Sequence, residues 1–459
     1  MEYNDDAEQN LYKKGKQMAT HTVTTSKSWF QRLGNSFGGI IFGILLFIAG
    51  TILLWWNEGN FVKTQTALKE AQGVTQELGD IGSIDSTLNG QLVHATGEAK
   101  TDDILEDSFF GISTNAIRFE RSVEYYQWVE DSKKETKQKL GGGEETVTTY
   151  TYDRKEWVAS PIDSSRFASP EARETHKNTV IANVENFKVQ AKNVAFGAYR
   201  LPDFLVSSIG GSESLTVELS EEVLTKLNQQ IAPSDMVTAA LPGAETPRQP
   251  SSEAPAQRSL FDTEEEQVVA PPSPLPQFVH VSGNTVYLGQ SPAQPNIGDV
   301  RVTFKYTKPS NTVSLIAKLN GDTFESYVAK NGKKIGMLSV GTHSAENMFE
   351  SAHAANSMWT WILRFVGVLL VCMSIGMMLA PLSVLASVVP FLGKLVGIGT
   401  GLVSMLFGLA WSLLIIALAW LFYRPLIGAI LLAAAVGLVV LLFRKLRSGT
   451  EAKTPNLTA

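Results

Sequence analysis

Three ionisable side chains stand beside apolar runs, where charge is costly and usually has a use. Glu58 follows the run Gly38–Trp56, Arg364 sits near the start of a second run that begins at Trp361, and Arg424 interrupts that run in AWLFYRPLI, Ala419–Ile427. One carboxylate and two guanidinium groups at a common membrane level can do two things. They can anchor helices by reaching for the headgroup layer. They can also form an ion cluster that locks the helices to an adjoining domain or binds a lipid headgroup. A second spacing suggests metal chemistry: His343, Glu346, Glu350 and His353 would line one face of a helix. Carboxylates and histidines so spaced bind metal in helical bundles. No second stripe matches this one, so it reads as a solvated helix face, and no metal site is expected.

No other chemistry announces itself. The chain has no HExxH, no P-loop, no GxGxxG followed by an acidic residue and no GxSxG elbow. No pair of carboxylates stands out as general acid and base, and nothing calls for a cofactor. The single cysteine, Cys372, excludes an intramolecular disulfide and a zinc site built on several thiolates. A net charge of −6 leaves no basic footprint for nucleic acid.

The elements carrying these charges follow from hydropathy. A bilayer core needs about 20 apolar residues per helix. Residues 1–37 form a polar arm, and 38–56 are apolar enough to cross. The arm is too long for a signal-peptide n-region and LLWWNEGN offers no cleavage site, so this helix is retained. Residues 359–443 then supply three further spans: Trp361–Ala380, Gly399–Phe422 and Leu426–Phe443. Pro381–Lys394, broken by Pro381 and Pro390, reads as a turn or interfacial piece. An arginine at mid-bilayer costs at least about 2.5–3.5 kcal/mol. Proline is tolerated in the first turn of a helix. Tyr423-Arg424-Pro425 is therefore best placed at the tight corner of a helical hairpin.

Four spans put both termini on one side. Lys13, Lys14, Lys16, Lys27 and Arg32 in the arm, Lys394 in a turn, and Arg444, Lys445, Arg447 and Lys453 in the basic tail 444–459 mark that side as cytoplasmic. Residues 57–358 would then lie in the periplasm of a bacterium or the lumen of a eukaryote. No N-x-[ST] sequon occurs in that stretch, which points to a bacterium. The expected fold class is thus an α+β membrane protein: four transmembrane helices plus a large β-rich extracytoplasmic or lumenal domain between helices 1 and 2.

Strand signals dominate that domain. Ala116–Glu130 and Thr146–Val158 alternate apolar and polar residues, so Gln127–Trp157 reads as a hairpin with a charged tip broken at Gly141-Gly142-Gly143. Leu215–Leu227 reads as a short strand and then a helix. Residues 232–277 are crowded with Pro, Ser, Ala and Glu and read as a disordered insertion. Strands resume at Gln277–Leu288, Asp299–Tyr306 and Thr312–Leu319. LVHATG at Leu92–Gly97 and FVHVSG at Phe278–Gly283 are alike, though six residues do not establish a duplication.

Several short pieces, in order along most of the chain, resemble the transmembrane protein 43 family, also called LUMA. They are Asn57-Glu58-Gly59, Tyr126-Gln127-Trp128-Val129-Glu130, Gly298-Asp299-Val300-Arg301-Val302, Asn356-Ser357-Met358 with Trp361 and Arg364, and Trp420-Leu421-Phe422-Tyr423-Arg424-Pro425-Leu426. The resemblance implies a multi-pass protein that organises membrane protein complexes, resident in animals in the endoplasmic reticulum and inner nuclear membrane with lamins and emerin as associates. It supplies no catalytic residues. In a bacterial homologue only the organising role would transfer.

Two functions compete. A non-enzymatic scaffold would use the domain and helices, including the small surfaces of Gly397, Gly399, Gly401 and Gly408, for self-association or membrane protein partners. A membrane-bound enzyme or lipid-handling protein would use Glu58, Arg364 and Arg424. Membrane lipids are partners in either case. A third role, as a sensor, lacks a cytoplasmic segment long enough to carry an output domain.

Overall fold

A computed structural model of the chain describes residues 20–231 and 277–424. Three helices among them are long and apolar enough to cross a membrane. The first, α1 (Trp29–Val74), runs 46 residues, about 69 Å at ~1.5 Å per residue. Ser28 starts it with a capping box, accepting from the Gln31 N–H while the Gln31 side chain accepts from the Ser28 N–H. It meets no proline and stops at Thr75, whose N–H and hydroxyl both donate to the Ala71 carbonyl. The second, α2 (Ala345–Ala386), is capped by Ser344, and α3 (Pro390–Tyr423) opens on a proline.

The two longest helices pack antiparallel through small residues at seven-residue intervals. Ser36, Gly43, Gly50 and Asn57 are buried along α1, and Thr360, Gly367, Ser374 and Pro381 along α2. A Cβ on Gly43 would lie 2.9 Å from the Ser374 carbonyl, and one on Gly50 would lie 3.4 Å from the Gly367 carbonyl. Asn57 donates to the Thr360 carbonyl at 3.1 Å. Each step of seven along α1 is thus matched by a step of seven back along α2, the period of a left-handed pair. Helix α3 joins through Gly408, where a Cβ would come within 2.6 Å of the Cys372 sulfur, and through Trp411, which donates to Thr51 at 3.0 Å.

The β-rich region follows α1. With β1 (Thr20–Lys27) ahead of that helix, its principal strands are β2 (Leu92–Lys100), β3 (Arg118–Gln138), β4 (Glu144–Val158), β5 (Val279–Ser282), β6 (Thr285–Leu288), β7 (Val300–Thr307), β8 (Ser310–Asn320), β9 (Lys334–Ile335) and β10 (Met337–Val340). One eight-stranded sheet has the order β1-β4-β3-β7-β6-β5, with two short strands pairing off β7 and β3. A seven-stranded sheet is built around the antiparallel pair β2–β8. Each sheet has its own apolar core, one around Phe196, Leu201, Leu315 and Phe324, the other around Phe110, Phe119, Val286 and Phe304. A third cluster joins helices to strands: Ala67, Leu68 and Ala71 of α1 and Met348 and Phe349 of α2 close over Leu92 and Ile316. Both helices therefore leave the bundle without a break and become part of the domain.

This architecture corrects the four-helix layout. The described residues contain three membrane-competent helices, two of them C-terminal. The expected fourth span, 426–443, lies outside the described residues, as do the insertion up to residue 276 and the basic tail. Pro381–Lys394 is not a separate interfacial piece: α2 continues through Pro381 to Ala386, and α3 begins at Pro390. A proline is tolerated within a helix of a bundle because neighbouring groups re-satisfy the freed backbone.

The division of arm from domain by a bilayer does not fit either. Strand β1 belongs to the arm yet pairs with β4 over its whole length, from Thr20 opposite Thr151 to Lys27 opposite Glu144. The β3–β4 tip then meets the α1 N-terminus and the α2–α3 turn. Arg32 donates to the Gly142 carbonyl at 2.6 Å and to the Ser387 hydroxyl at 3.1 Å, and pairs with Glu144 at 3.1 Å. The Gly141 N–H donates to the Val388 carbonyl. Gly142 has φ +79°, and a Cβ there would strike the Trp29 ring at 2.3 Å, so only glycine fits this junction. Lipid does not admit polar strands with open edges, so arm and domain cannot share this sheet and lie on opposite sides of a bilayer.

Candidate functional site

Asn57, Glu58 and Gly59 lie where α1 leaves the bundle, and all three are buried. Consecutive helical residues point about 100° apart, so each meets a different neighbour. Asn57 reaches the α2 backbone at Thr360. That contact is reinforced by the Thr360 hydroxyl donating to the Asn356 carbonyl at 2.7 Å and by Asn356 donating back to the Phe61 carbonyl at 3.2 Å. Gly59 faces α3: a Cβ there would lie 2.5 Å from Cζ of Tyr423, so the missing side chain gives that ring its place beside Trp55, 5.9 Å away between centroids.

Glu58 sits between these contacts and is fully enclosed. Its Oε1 accepts from Arg364 Nε at 2.6 Å, and its Oε2 accepts from Arg364 Nη2 at 2.7 Å and from Trp420 Nε1 at 2.7 Å. The guanidinium is flanked by the Trp361 ring at 4.8 Å and the Trp420 ring at 5.7 Å. A buried carboxylate is stable only with its charge paired and its oxygens bonded. Here one bidentate guanidinium and one indole N–H meet that demand, drawing on all three helices.

Of the three charges read from the sequence, two pair and the third does not. Arg424, the residue that ends α3, forms no ion pair with Glu58. Its guanidinium lies over Phe61 at 5.1 Å and Trp420 at 5.6 Å, and its backbone N–H donates to the Trp420 carbonyl. Pro425 lies outside the described residues. The third donor to Glu58, Trp420, was hidden in an apolar run. Its signals are its place in the family-like piece Trp420–Leu426 and its position a single turn before Arg424.

The other motif residues secure the eight-stranded sheet and its loops. Gln127 is buried and bridges two loops, accepting from the Ile162 N–H and donating to the Thr179 carbonyl. Trp128 receives the His176 ring edge-on at 4.5 Å and the Lys155 ammonium at 4.4 Å. Glu130 falls at an irregularity in the β3–β4 pairing between Val129 and Asp131. Such an irregularity re-aims a side chain, and Glu130 accepts from the Tyr152 hydroxyl at 2.7 Å and the Ala168 N–H at 2.6 Å. Burial and that hydrogen bond push the Tyr152 phenol up to about 12. Asp299 is buried and accepts from Tyr287 and, at 2.7 Å, from the Asn296 N–H. Burial, then that hydrogen bond, raise the Tyr287 phenol as well. Arg301 pairs with Glu124 at 2.7 Å across the sheet and covers Trp157 at 4.5 Å. Ser357 donates to the His353 carbonyl within α2.

The remaining candidates disperse. His343 precedes α2 rather than lying on it, and its backbone carbonyl is held by buried His94, whose other ring nitrogen meets Glu77 at 2.6 Å. Among the described residues no group of three His, Cys, Asp or Glu side chains converges as metal ligands would. LVHATG lies in the seven-stranded sheet and FVHVSG at an edge of the other, so the two do not occupy equivalent places. One buried pair escaped the sequence reading: Arg121 spans both Asp107 oxygens at 2.7 and 2.6 Å, with three phenylalanine rings around the guanidinium.

Comparison with known proteins matches the sequence to a family. The family model described as transmembrane protein 43 matches residues 125–425. The chain is 28% identical over 436 residues to transmembrane protein 43 of Homo sapiens, covering 93% of this chain and 94% of that protein. It is 27% identical over 423 residues to the Mus musculus protein, covering 90% and 92%. The Drosophila melanogaster homolog is 27% identical over 419 residues, covering 88% and 94%. No solved structure matches.

Proposed function

The chain belongs to the transmembrane protein 43 family, and from that premise we propose that this membrane protein is a multi-pass, non-enzymatic organiser of membrane protein complexes. The observation that carries the proposal is the closed state of its charge centre. Glu58 is fully enclosed and both its oxygens are engaged by Arg364 and Trp420. A general base must reach the proton it takes, and an anion-binding arginine must present its fork to the ligand. Glu58 and Arg364 present theirs to each other. The arrangement suits a pivot that holds three helices and a domain in one orientation, which a scaffold needs and a reaction centre does not.

Two surfaces suit such a role. On α3, a Cβ on Gly397 or Gly401, one turn apart, would meet nothing within 4 Å among the described residues, which leaves a small-residue face for close approach by another helix. The large domain offers the second. In a bacterium the host membrane would be the inner membrane; in a eukaryote, the endoplasmic reticulum and inner nuclear membrane. A lipid-handling enzyme, the competing reading, would need an open Glu58–Arg364 pair.

The test is crosslinking in native membranes followed by affinity capture and mass spectrometry, comparing wild type with Gly397→Leu/Gly401→Leu at matched abundance. Recurrent protein partners or self-association that the double variant loses would support the organiser. A monomer that recovers no protein in either form would overturn it.

A further inference from the structure

Just above the bundle, α1, α2 and strand β9 line an open groove of about 490 Å³, within the roughly 300–1,000 Å³ of ordinary ligand sites. Its floor is apolar, formed by Leu68, Ala352, Ala355, Trp359 and Leu363. From Ala352 to Leu363 the floor runs about 16 Å along α2, at ~1.5 Å per residue. That is about half the ~30 Å hydrocarbon thickness, the reach of a single acyl chain.

The lower end of the groove and its β9 rim differ in chemistry. The lower end opens onto the exposed apolar face of α2, where Trp359, Ile362 and Val366 continue the same surface. Trp55, Trp56, Trp361 and Trp420 lie near this level, and such a belt marks the membrane–water boundary. The rim beside Asn60, level with Asn356 just above Trp359, is basic. Lys334 lines the groove, Lys333 is held beside it by donating to the Asn60 side chain at 2.5 Å, and Lys63 and Lys330 are exposed nearby. None of these four lysines forms an ion pair among the described residues. Glu70, the carboxylate that meets the Lys330 backbone, is occupied by the Tyr327 hydroxyl at 2.8 Å and the Lys330 N–H at 3.1 Å.

We propose that this groove binds one anionic phospholipid, its phosphate at Lys333 and Lys334 and one acyl chain along Trp359 and Leu363. Lysines at this depth attract anionic headgroups, and an apolar trough continuous with the bilayer face accepts a chain without lifting it out of an apolar environment. The site is distinct from the closed Glu58–Arg364 pair and does not depend on the organising role.

The experiment uses the full-length protein in phosphatidylcholine nanodiscs doped with phosphatidylglycerol carrying a photoactivatable acyl chain, with matched phosphatidylcholine as control. Crosslinked peptides are mapped by mass spectrometry. The expected result is labelling concentrated on peptides containing Trp359 or Asn60–Leu68, at least about fivefold stronger for phosphatidylglycerol, and lowered at least about fivefold in Lys333→Gln/Lys334→Gln. Ala355→Trp, at an exposed position, should fill the trough and abolish labelling in a protein that still melts normally. Equal labelling by both lipids, labelling spread evenly over the lipid-facing surface, or labelling indifferent to both variants would overturn the proposal. So would an Ala355→Trp protein that keeps its lipid labelling but changes oligomeric state, since the groove would then be a protein interface.

Discussion

Glu58 and Arg364 are 306 positions apart in the chain and meet through two hydrogen bonds of 2.6 and 2.7 Å, closed by the Trp420 indole. The pair lies where both long helices pass from the bundle into the domain, so removing one partner leaves an uncompensated charge at the junction. Arg364→Ala should destabilise the protein by about 3–5 kcal/mol, as for other broken buried pairs. Glu58→Leu combined with Arg364→Met should recover most of that loss, because an apolar replacement strands no charge. Unfolding in mild detergent, followed by tryptophan fluorescence, checks both. A single variant as stable as wild type would show that the pair does not hold the junction.

The sequence made the pair legible through cost. A charge next to an apolar run is rare enough that Glu58, Arg364 and Arg424 stood out individually, and hydropathy brought them to one level. It could not say which arginine takes the carboxylate. That depends on helix rotation, fixed by the buried small residues from Ser36 to Asn57 and from Thr360 to Pro381, whose seven-residue period is inconspicuous among so many small residues. The extent of the helices was hidden for a different reason. Hydropathy reports the lipid-facing part of α1, whereas residues 57–74 are held helical by packing against Leu92 and Ile316, strands far away in sequence. The β3–β4 hairpin was legible from alternation and its glycine tip. Its attachment to β1 was not, because Thr20–Lys27 is too polar to signal a strand.

Gly408 and Gly397 lie on the same helix in opposite surroundings. A Cβ on Gly408 would stand 2.6 Å from the Cys372 sulfur and 2.8 Å from the Cys372 Cα, and that backbone cannot yield without parting α2 from α3. Gly408→Ala should cost about 1–3 kcal/mol, the usual penalty of overpacking. Gly397→Ala meets nothing within 4 Å and should be neutral or stabilising by up to about 1 kcal/mol from helix propensity. Melting curves of the two variants side by side decide the matter. Equal effects would mean that α3 does not pack on α2 through Gly408.

Tyr152 gives the domain an alkaline limit. Its phenol is pushed up to about 12 by burial and by donation to Glu130, above the unfolded value of about 10. A group whose folded pKa is raised contributes stability that is complete below the unfolded pKa and lost as pH rises through the folded one. The contribution should therefore hold up to pH ~10 and disappear between about 10 and 12, with a size on the order of 2 kcal/mol. Tyr152→Phe should be less stable than wild type at neutral pH, and the gap should narrow over that alkaline window. Denaturant titrations across the range measure it. A gap independent of pH would show that the hydroxyl is not held in its neutral form.

The sheet that joins arm and domain makes the sharpest demand on how the protein sits in its membrane. Strand β1 and the outer halves of β3 and β4 are rich in Thr, Ser, Lys and Glu, and Lys133, Lys134, Glu135 and Lys137 are exposed. Among the described residues the strand ladder ends at β1, which pairs only with β4. Open polar edges are not stable in hydrocarbon, so the sheet stands in water along its length even though its tip meets Arg32 at the far end of the bundle. While β1 is paired with β4 the arm and the domain share one aqueous side, and α1, which runs from one to the other, cannot cross a bilayer between them. In a Cys372→Ser background, single cysteines at Thr24, Lys134 and Ser282 should all react with a membrane-impermeant maleimide from the same side of sealed vesicles. A cysteine at Thr24 that reacts only after permeabilisation, beside one at Ser282 that reacts in intact vesicles, would separate the two segments by a bilayer. The β1–β4 pairing would then be absent from the membrane-embedded protein, and Arg32 would have to find another partner than Glu144.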